Sequence, residues 1–205
     1  DPKATSPMEF NLANGEKIET PTMYKSMRVK GYEGNNFNSI TLPFGNKAFN
    51  LTVIVPLEER SIEESYQELA SNQTWSSLTS QSREREIDIY LPKFKFEYST
   101  VMNHSLMQLG IKDAFDPTKA NFSKILDSSN GAELAISKVL QKSVIEINEE
   151  GGEAAAITSV GMMVTSIGLE NEVFKANRPF LFAIWEHSTG AILFAGKVEN
   201  PQESN

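Results

Sequence analysis

The run Asn148-Glu149-Glu150-Gly151-Gly152-Glu153-Ala154-Ala155-Ala156-Ile157-Thr158 decides how this chain is interpreted. It follows Val144-Ile145-Glu146-Ile147, in which β-branched residues flank an acidic one and predict a strand. Roughly twenty residues then pass before the next apolar block, which is long for a loop without structure of its own. Loops usually carry turn-forming residues, so Gly, Ala and Thr with small side chains favour a segment that enters a crowded sheet as an added strand. The alternative is a short helix over residues 153–157, because Ala favours helix.

Five further motifs accompany this run in a fixed order. Downstream are Phe174-Lys175-Ala176-Asn177-Arg178-Pro179-Phe180-Leu181-Phe182-Ala183-Ile184 and Phe194-Ala195-Gly196-Lys197-Val198-Glu199-Asn200-Pro201. Upstream are Leu91-Pro92-Lys93-Phe94, then Leu109-Gly110-Ile111 with Phe115, then Ala120-Asn121-Phe122-Ser123. Together they resemble the serpins, with the opening run as hinge and reactive-centre loop. The resemblance extends from about Pro7 to Pro201.

The resemblance implies a fold class. It is α+β, the multi-domain serpin fold, and mostly β in this part, with strands of three sheets and a few short helices. Residues 1–205 would form the C-terminal part of one serpin domain, with the reactive-centre loop at about 150–173. A complete serpin is nearly twice as long, so we expect the N-terminal half to be absent from this chain.

The resemblance also implies a function, that of a protease inhibitor and not an enzyme. A target serine or cysteine endopeptidase cuts the loop and is trapped as a covalent acyl complex when the freed hinge inserts into the central sheet. The uncut fold is then a metastable state held by a kinetic barrier. The expected partners are this protease and the N-terminal half of the same serpin, and we expect a monomer.

The hinge residues follow from the same resemblance. Glu149 resembles the hinge-proximal acid and Gly151 the pivoting glycine. Period two puts Gly152, Ala154, Ala156 and Thr158 on one strand face, which would turn inward on insertion. Three residues depart from the family pattern, namely Gly152, Ile157 and Gln141. The hinge set is Glu149, Glu150, Gly151, Gly152, Glu153, Ala154, Ala155, Ala156 and Thr158.

The reactive bond is predicted between Thr165 and Ser166, sixteen residues on from Glu149. A count back from Pro179 points nearer Gly168 instead. Thr165 is small and follows apolar residues, so a shallow pocket of elastase type would accept it. The fallback is Met163 followed by Val164, which suits a deeper pocket.

A non-inhibitory serpin that acts as a carrier, storage protein or chaperone is the alternative function. Such members typically carry charged or bulky hinge residues, which this inward set lacks. A third interpretation, an isolated binding module, would leave long unpaired strand edges near Val144.

Composition excludes several other classes. The chain has 205 residues, 40% of them hydrophobic, with a net charge of -8 and no Cys. Scattered cations in an acidic chain argue against a nucleic-acid partner. No apolar run reaches the ~18 residues that a membrane span needs. We expect no cofactor or metal site, and we expect both His104 and His187 to be surface residues, not catalytic ones.

Four sequons give the glycosylation candidates, which are Asn72, Asn103, Asn121 and Asn50. Asn72 lies in a polar stretch and is the best of them, whereas Asn50 opens an apolar strand. The sequons favour an extracellular, secreted glycoprotein, with an intracellular location as the alternative. A signal peptide would lie in the missing half.

The remaining pattern predicts local structure. Asn14-Gly15 and the stretch 44–47 predict hairpin turns. Ser61 and Glu64 predict a capping box before a short helix. The apolar alternation changes parity at Pro92, which predicts that the chain bends there and passes from one sheet to another.

Overall fold

A computed structural model describes residues 1–44, 47–71, 74–125, 134–149 and 171–202 of the chain. Most of the regular structure is β. The strands are β1 (Ser6–Asn11), β2 (Lys17–Glu33), β3 (Phe37–Phe44), β4 (Phe49–Pro56), β5 (Arg83–Pro92), β6 (Phe94–Val101), β7 (Leu140–Ile147), β8 (Glu172–Lys175), β9 (Phe180–Glu186) and β10 (Ile192–Val198). The α-helices are α1 (Ile62–Ala70), α2 (Thr74–Gln81) and α3 (Asn103–Gln108). In the part of the chain that the structure describes, no helix is long and apolar enough to cross a membrane.

The chain divides into two compact units, one of Asp1–Lys95 with the described residues from Glu146 onward, and one of Phe96–Ile145. The first unit contains an eight-stranded sheet in the order β10-β9-β4-β3-β2-β5-β8, with β1 paired to β2. All of its ladders are antiparallel except the one between β5 and β8. The hairpins predicted at Asn14-Gly15 and at 44–47 are confirmed as the β1–β2 and β3–β4 connections.

The predicted fold class is confirmed, since the structure is mostly β, with a few short helices and more than one sheet. The ladders of the described residues count as two sheets, where the resemblance implied strands of three. The cause is β2, which runs for 17 residues. Its residues 17–22 pair with β1, residues 22–31 pair with β5, and residues 30–33 pair with β3. One continuous strand therefore joins two ladder regions that would otherwise count as separate sheets.

The predicted bend at Pro92 is confirmed. Ile87, Ile89 and Leu91 are buried on one face of β5, and Phe94 is buried two residues after the bend. β5 belongs to the eight-stranded sheet and β6 to the two-stranded sheet that it forms with β7. Pro92 has no N–H to donate, so it suits the end of a ladder where the chain changes partner.

Two short helices cover part of the large sheet. The predicted capping box is present, since the Ser61 hydroxyl accepts from the Glu64 N–H and the Glu64 carboxylate accepts from the Ser61 N–H. A core cluster follows, in which Leu78 of α2 meets Phe37 and Ile54, all of them almost fully buried. Strand β9, which lies between β10 and β4, is largely buried on both faces, as its nearly continuous apolar sequence predicts.

The second unit is built around the sheet of β6 and β7. The side chain of Asn103 at the start of α3 donates to the Ser137 carbonyl at 2.9 Å and accepts from the Val139 N–H at 2.8 Å. These bonds tie the helix to the chain that leads into β7. Gly110 ends the helical region with a φ of 99°, a conformation that favours glycine.

Truncating the cluster under α2 should destabilise the protein. Leu78 has no exposed surface, so Leu78→Ala leaves a cavity and should cost ~2–5 kcal/mol. The control is Tyr66→Ala on α1, a side chain that is 52% exposed and should change stability by less than about 0.5 kcal/mol. The thermal midpoint of the complete protein checks both, and equal midpoints for the two variants would contradict this account of the core.

Candidate functional site

The candidate site consists of the two described regions that flank residues 150–170. The structure describes Glu149 at one end and Asn171 at the other. The other predicted hinge and reactive-bond residues lie outside the described residues, as does the sequon Asn72. They are Glu150, Gly151, Gly152, Glu153, Ala154, Ala155, Ala156, Thr158, Met163, Val164, Thr165 and Ser166.

β7 leads to the first end, and its alternation matches the predicted strand. Ile147 is buried, whereas Glu146 points to solvent and pairs with Lys95 at 2.8 Å. Asn148 Nδ2 donates to the same Glu146 carboxylate at 3.0 Å. The strand therefore reaches Glu149 with its last side chains already fixed.

Glu149 is held by two groups from distant parts of the sequence. Lys93 Nζ lies 2.8 Å from Glu149 Oε2, and the Thr5 hydroxyl donates to Oε1 at 2.6 Å. Only 13% of the Glu149 side chain is exposed, against 39% for Lys93. The hydrogen bond from Lys93, and then that from Thr5, lowers the pKa of Glu149 from 4.5 to about 2. The carboxylate is thus charged and anchored at the point where the candidate hinge begins.

Local structure brings the two partners of Glu149 into place. Lys93 directly follows the bend at Pro92, and its N–H donates to the Pro21 carbonyl at 2.9 Å. Thr5 follows a short 3₁₀ turn over Pro2–Ala4, and its N–H donates to the Pro2 carbonyl. Sequence reasoning identified Glu149 but missed both partners, although Lys93 lies inside one of the motifs that carried the resemblance.

The second end is anchored on the edge of the large sheet. Asn171 Nδ2 donates to the Ser26 hydroxyl and to Asp88 Oδ1, each at 3.2 Å. Glu172, the first residue of β8, pairs with Arg85 at 2.7 Å, and Arg85 also reaches Glu33 at 3.2 Å. Burial raises the pKa of Glu172, and the attraction of Arg85 offsets this only in part.

β7 has an edge to which a strand can be added. In the described part of the chain, β6 and β7 form a sheet of two strands, so β7 has a single strand partner there. Unpaired N–H and C=O groups along such an edge are a template for another extended segment. Gln141, which departs from the family pattern, lies on this strand, is exposed and donates to the Ser143 hydroxyl at 3.2 Å.

The described sequons differ in exposure. Asn50 is only 8% exposed, and its Nδ2 lies 3.1 Å from Nδ1 of His187, so it is a poor glycan acceptor in the folded chain. Asn103 is half-buried and uses both side-chain atoms in hydrogen bonds. Asn121 is exposed and remains the best described candidate. His187 packs against Trp185 instead of facing a nucleophile.

No group of three His, Cys, Asp or Glu side chains suited to a metal ion occurs among the described residues. The acidic groups near Glu149 are instead paired with lysines, as the ion pairs of Glu149 and Glu146 show. What the arrangement can do is hold Glu149 and Asn171, the two residues that flank the intervening segment, in fixed positions.

Comparisons with known proteins relate nearly the whole chain to one family. The family model "Serpin (serine protease inhibitor)" matches residues 1–201. A "Serine protease inhibitor" from Cyanea capillata is 34% identical over 205 residues, covering 98% of this chain and 52% of the relative. The native structure of the thermophilic serpin tengpin is 33% identical with a TM-score of 0.78, covering 97% of this chain and 50% of that one. Uncleaved ovalbumin is 26% identical with a TM-score of 0.79, covering 98% and 50%. The chain spans about half the length of the curated relatives it matches.

The ion pair of Glu149 should make stability depend on pH in a defined window. The pKa of Glu149 is about 2 in the fold against an ordinary 4.5, so the unfolded chain binds more protons between these values. The contribution of this group is complete above pH 4.5 and is lost as the pH falls towards 2. We expect Glu149→Gln to flatten the fall of the thermal midpoint over this range.

The matched control is Glu146→Gln, which breaks an ion pair whose two side chains are about half exposed. Solvent screens such a pair, so this variant should change the slope much less. Hydrogen bonds from Thr189 and Ser188 also lower the pKa of Glu186 to about 2. The unmodified protein and both variants contain Glu186, so it contributes equally to all three slopes. The prediction is contradicted if the thermal midpoint of Glu149→Gln falls with decreasing pH as steeply as that of the unmodified protein.

Proposed function

This chain belongs to the serpin family, and we propose that the protein carrying it is an inhibitor of a serine or cysteine endopeptidase, acting by suicide-substrate loop insertion. The observation that supports this most directly is the anchored Glu149, which directly follows β7 in the chain and precedes a segment of small residues. In the described part of the chain β7 has a single strand partner. A segment released at its far end can pivot about such an anchor and add to the other edge of β7. In this proposal the protein is a substrate-like inhibitor, not an enzyme.

The length of the small-residue run fits the edge that would receive it. β7 has eight residues, and residues 151–158 number eight as well. In extended conformation each of residues 151–158 would lie opposite one residue of β7, since both strands rise by about 3.3 Å per residue. The inward set of Gly152, Ala154, Ala156 and Thr158 would then turn towards the protein interior.

The chemistry begins at the proposed bond between Thr165 and Ser166. The protease nucleophile attacks the Thr165 carbonyl, the peptide bond breaks, and the amine of Ser166 leaves with a proton. The protease is now an ester or thioester of Thr165. Sixteen residues from 150 to 165 reach at most about 58 Å when extended, so insertion along β7 draws the acylated protease far from its first position.

Insertion is favourable because it completes hydrogen bonds. Each backbone bond contributes about 0.5–1.5 kcal/mol net, and the apolar surface that is buried adds to this. The ion pair of Glu149 keeps the first residue of the hinge in place in the uncut state. Trapping succeeds when insertion is faster than hydrolysis of the acyl bond.

The remaining half of the serpin is the proposed second partner. Within the unit of Phe96–Ile145, the large apolar side chains of Tyr98, Val101, Leu140 and Val144 are 48–62% exposed. A two-stranded sheet with such a surface is marginal in water. Further strands and helices of the same protein would cover it. The proposed protein is a monomer that has no nucleic-acid or membrane partner.

A secreted location is supported by the exposed sequon at Asn121, and an intracellular location is the alternative. The non-inhibitory carrier, storage or chaperone function remains the competing function. It is disfavoured because the inward hinge positions are all Gly, Ala or Thr.

The first test is Ala156→Arg in the complete protein. A buried unpaired charge costs several kcal/mol, so insertion slows and the variant should be cut as a substrate without forming a denaturant-resistant complex. The control is Ala155→Arg, whose side chain has outward parity and should leave complex formation nearly unchanged. Gel electrophoresis against a panel of elastase-, chymotrypsin- and cathepsin-type proteases measures both.

Two outcomes would count against inhibition by insertion. One is the absence of a denaturant-resistant complex between the unmodified protein and every protease of the panel, which favours the non-inhibitory alternative. The other is undiminished complex formation by Ala156→Arg, which would mean that its side chain does not turn inward.

The position of the cut is a separate prediction. Mass spectrometry of the C-terminal peptide released by the trapped protease should find a new N-terminus at Ser166. An N-terminus at Val164 would support the fallback and a deeper pocket. One beyond Gly168 would show that the loop length is set from the Pro179 side.

A further inference from the structure

A groove on the larger unit lies away from the candidate hinge. Its volume is about 680 Å³, and it is lined by residues 25–30 of β2, the end of α2, β5, and the ends of β4 and β9. This volume lies within the roughly 300–1,000 Å³ of small-molecule sites. The groove has no part in the proposed inhibitory mechanism.

An aromatic pair in this groove is held in place by hydrogen bonds. Trp185 Nε1 donates to the Thr52 hydroxyl at 2.9 Å, and Thr52 is fully buried. The ring of His187 stacks on Trp185 with centroids 6.3 Å apart and planes at 30°. Asn50 Nδ2 donates to His187 Nδ1 at 3.1 Å, and the ring of Trp75 meets Trp185 edge-on. These rings are therefore ordered before any ligand arrives, which lowers the entropic cost of stacking on them.

The charge of the groove is opposite to that of the chain. Its lining includes four cations, against the two carboxylates of Glu84 and Glu86. One cation, Arg28, pairs with Glu84 at 3.6 Å, while the other three are Lys25, Lys30 and Lys47. By strand parity Lys25 points to the opposite face of β2 from Arg28 and Lys30, so one positive charge is in excess on the face of Trp185. The whole chain, in contrast, carries a net charge of -8. A local positive field of this kind attracts small anions.

We propose that this groove binds a small planar organic anion, such as an aromatic carboxylate or sulfonate. The ring system packs against Trp185 and His187, and the acid group lies near Lys30 or Lys47, on the face of the sheet that carries Thr52 and Trp185. Aromatic packing alone would accept a neutral ring, and the lysines alone would accept inorganic phosphate. The combination selects molecules that carry both features.

Two matched probes test the proposal with the complete protein. The probes are 2-naphthoate, which has a ring and a negative charge, and 2-naphthamide, which has the same ring without the charge. Isothermal titration at low ionic strength should give saturable binding of 2-naphthoate, at least about tenfold tighter than that of the amide. Added salt should reduce this difference.

Matched variants assign the binding to the groove. Lys30→Gln with Lys47→Gln should remove most of the preference for 2-naphthoate, whereas Lys3→Gln, an exposed lysine outside the groove, should leave it unchanged. His187→Ala should weaken both probes, because it removes part of the stacking surface. All three variants change side chains outside the hydrophobic core, and circular dichroism verifies that they fold.

The proposal is overturned if 2-naphthoate shows no saturable binding or binds no better than 2-naphthamide. It is also overturned if the double lysine variant keeps the full preference. These outcomes are independent of protease inhibition, since the hinge and the reactive bond are intact in every variant.

Discussion

The arrangement of the site depends on one constraint, the change of strand partner at Pro92. Up to this residue β5 is paired with β2 along ten consecutive positions, and immediately after it β6 joins β7 instead. The bend gives Lys93 a fixed place at the end of the large sheet, because its N–H is bonded to Pro21. Glu149, which follows β7, can then meet Lys93 although 56 positions separate them in the sequence. A proline that ends one ladder thus determines where the candidate hinge is anchored.

Much of the fold could be predicted from the sequence because the information is local. Alternation of apolar residues identified β5 and β6, Asn14-Gly15 identified a hairpin, and Ser61 with Glu64 identified a helix start. The union of two ladder regions through β2 was not predicted. Whether one long strand serves two ladders depends on which strands lie beside it, and the pattern of a single strand does not encode that.

The candidate site shows the same division between local and distant information. Glu149 was predicted as a hinge residue through the family resemblance, and that role stays a prediction, whereas its contacts with Thr5 and Lys93 were not predicted. Their contacts arise from a 3₁₀ turn and a sheet boundary far away in the sequence. The same holds for the groove at Trp185, whose neighbours Thr52 and Asn50 belong to another strand. Pairing between strands, not spacing along the chain, determines these groups of residues.

The burial of Asn50 has a consequence for how the chain matures. Asn50-Leu51-Thr52 is an acceptor sequence that is accessible only while the polypeptide is unfolded, since Thr52 becomes fully buried and Asn50 nearly so. A bulky oligosaccharide attached during synthesis would prevent β4 from closing against β3 and β9. In a compartment that glycosylates nascent chains, correct folding therefore requires that β4 pair with its neighbours before the transferase reaches it. The order of these two events, and not the acceptor sequence alone, determines whether a given molecule reaches the native state.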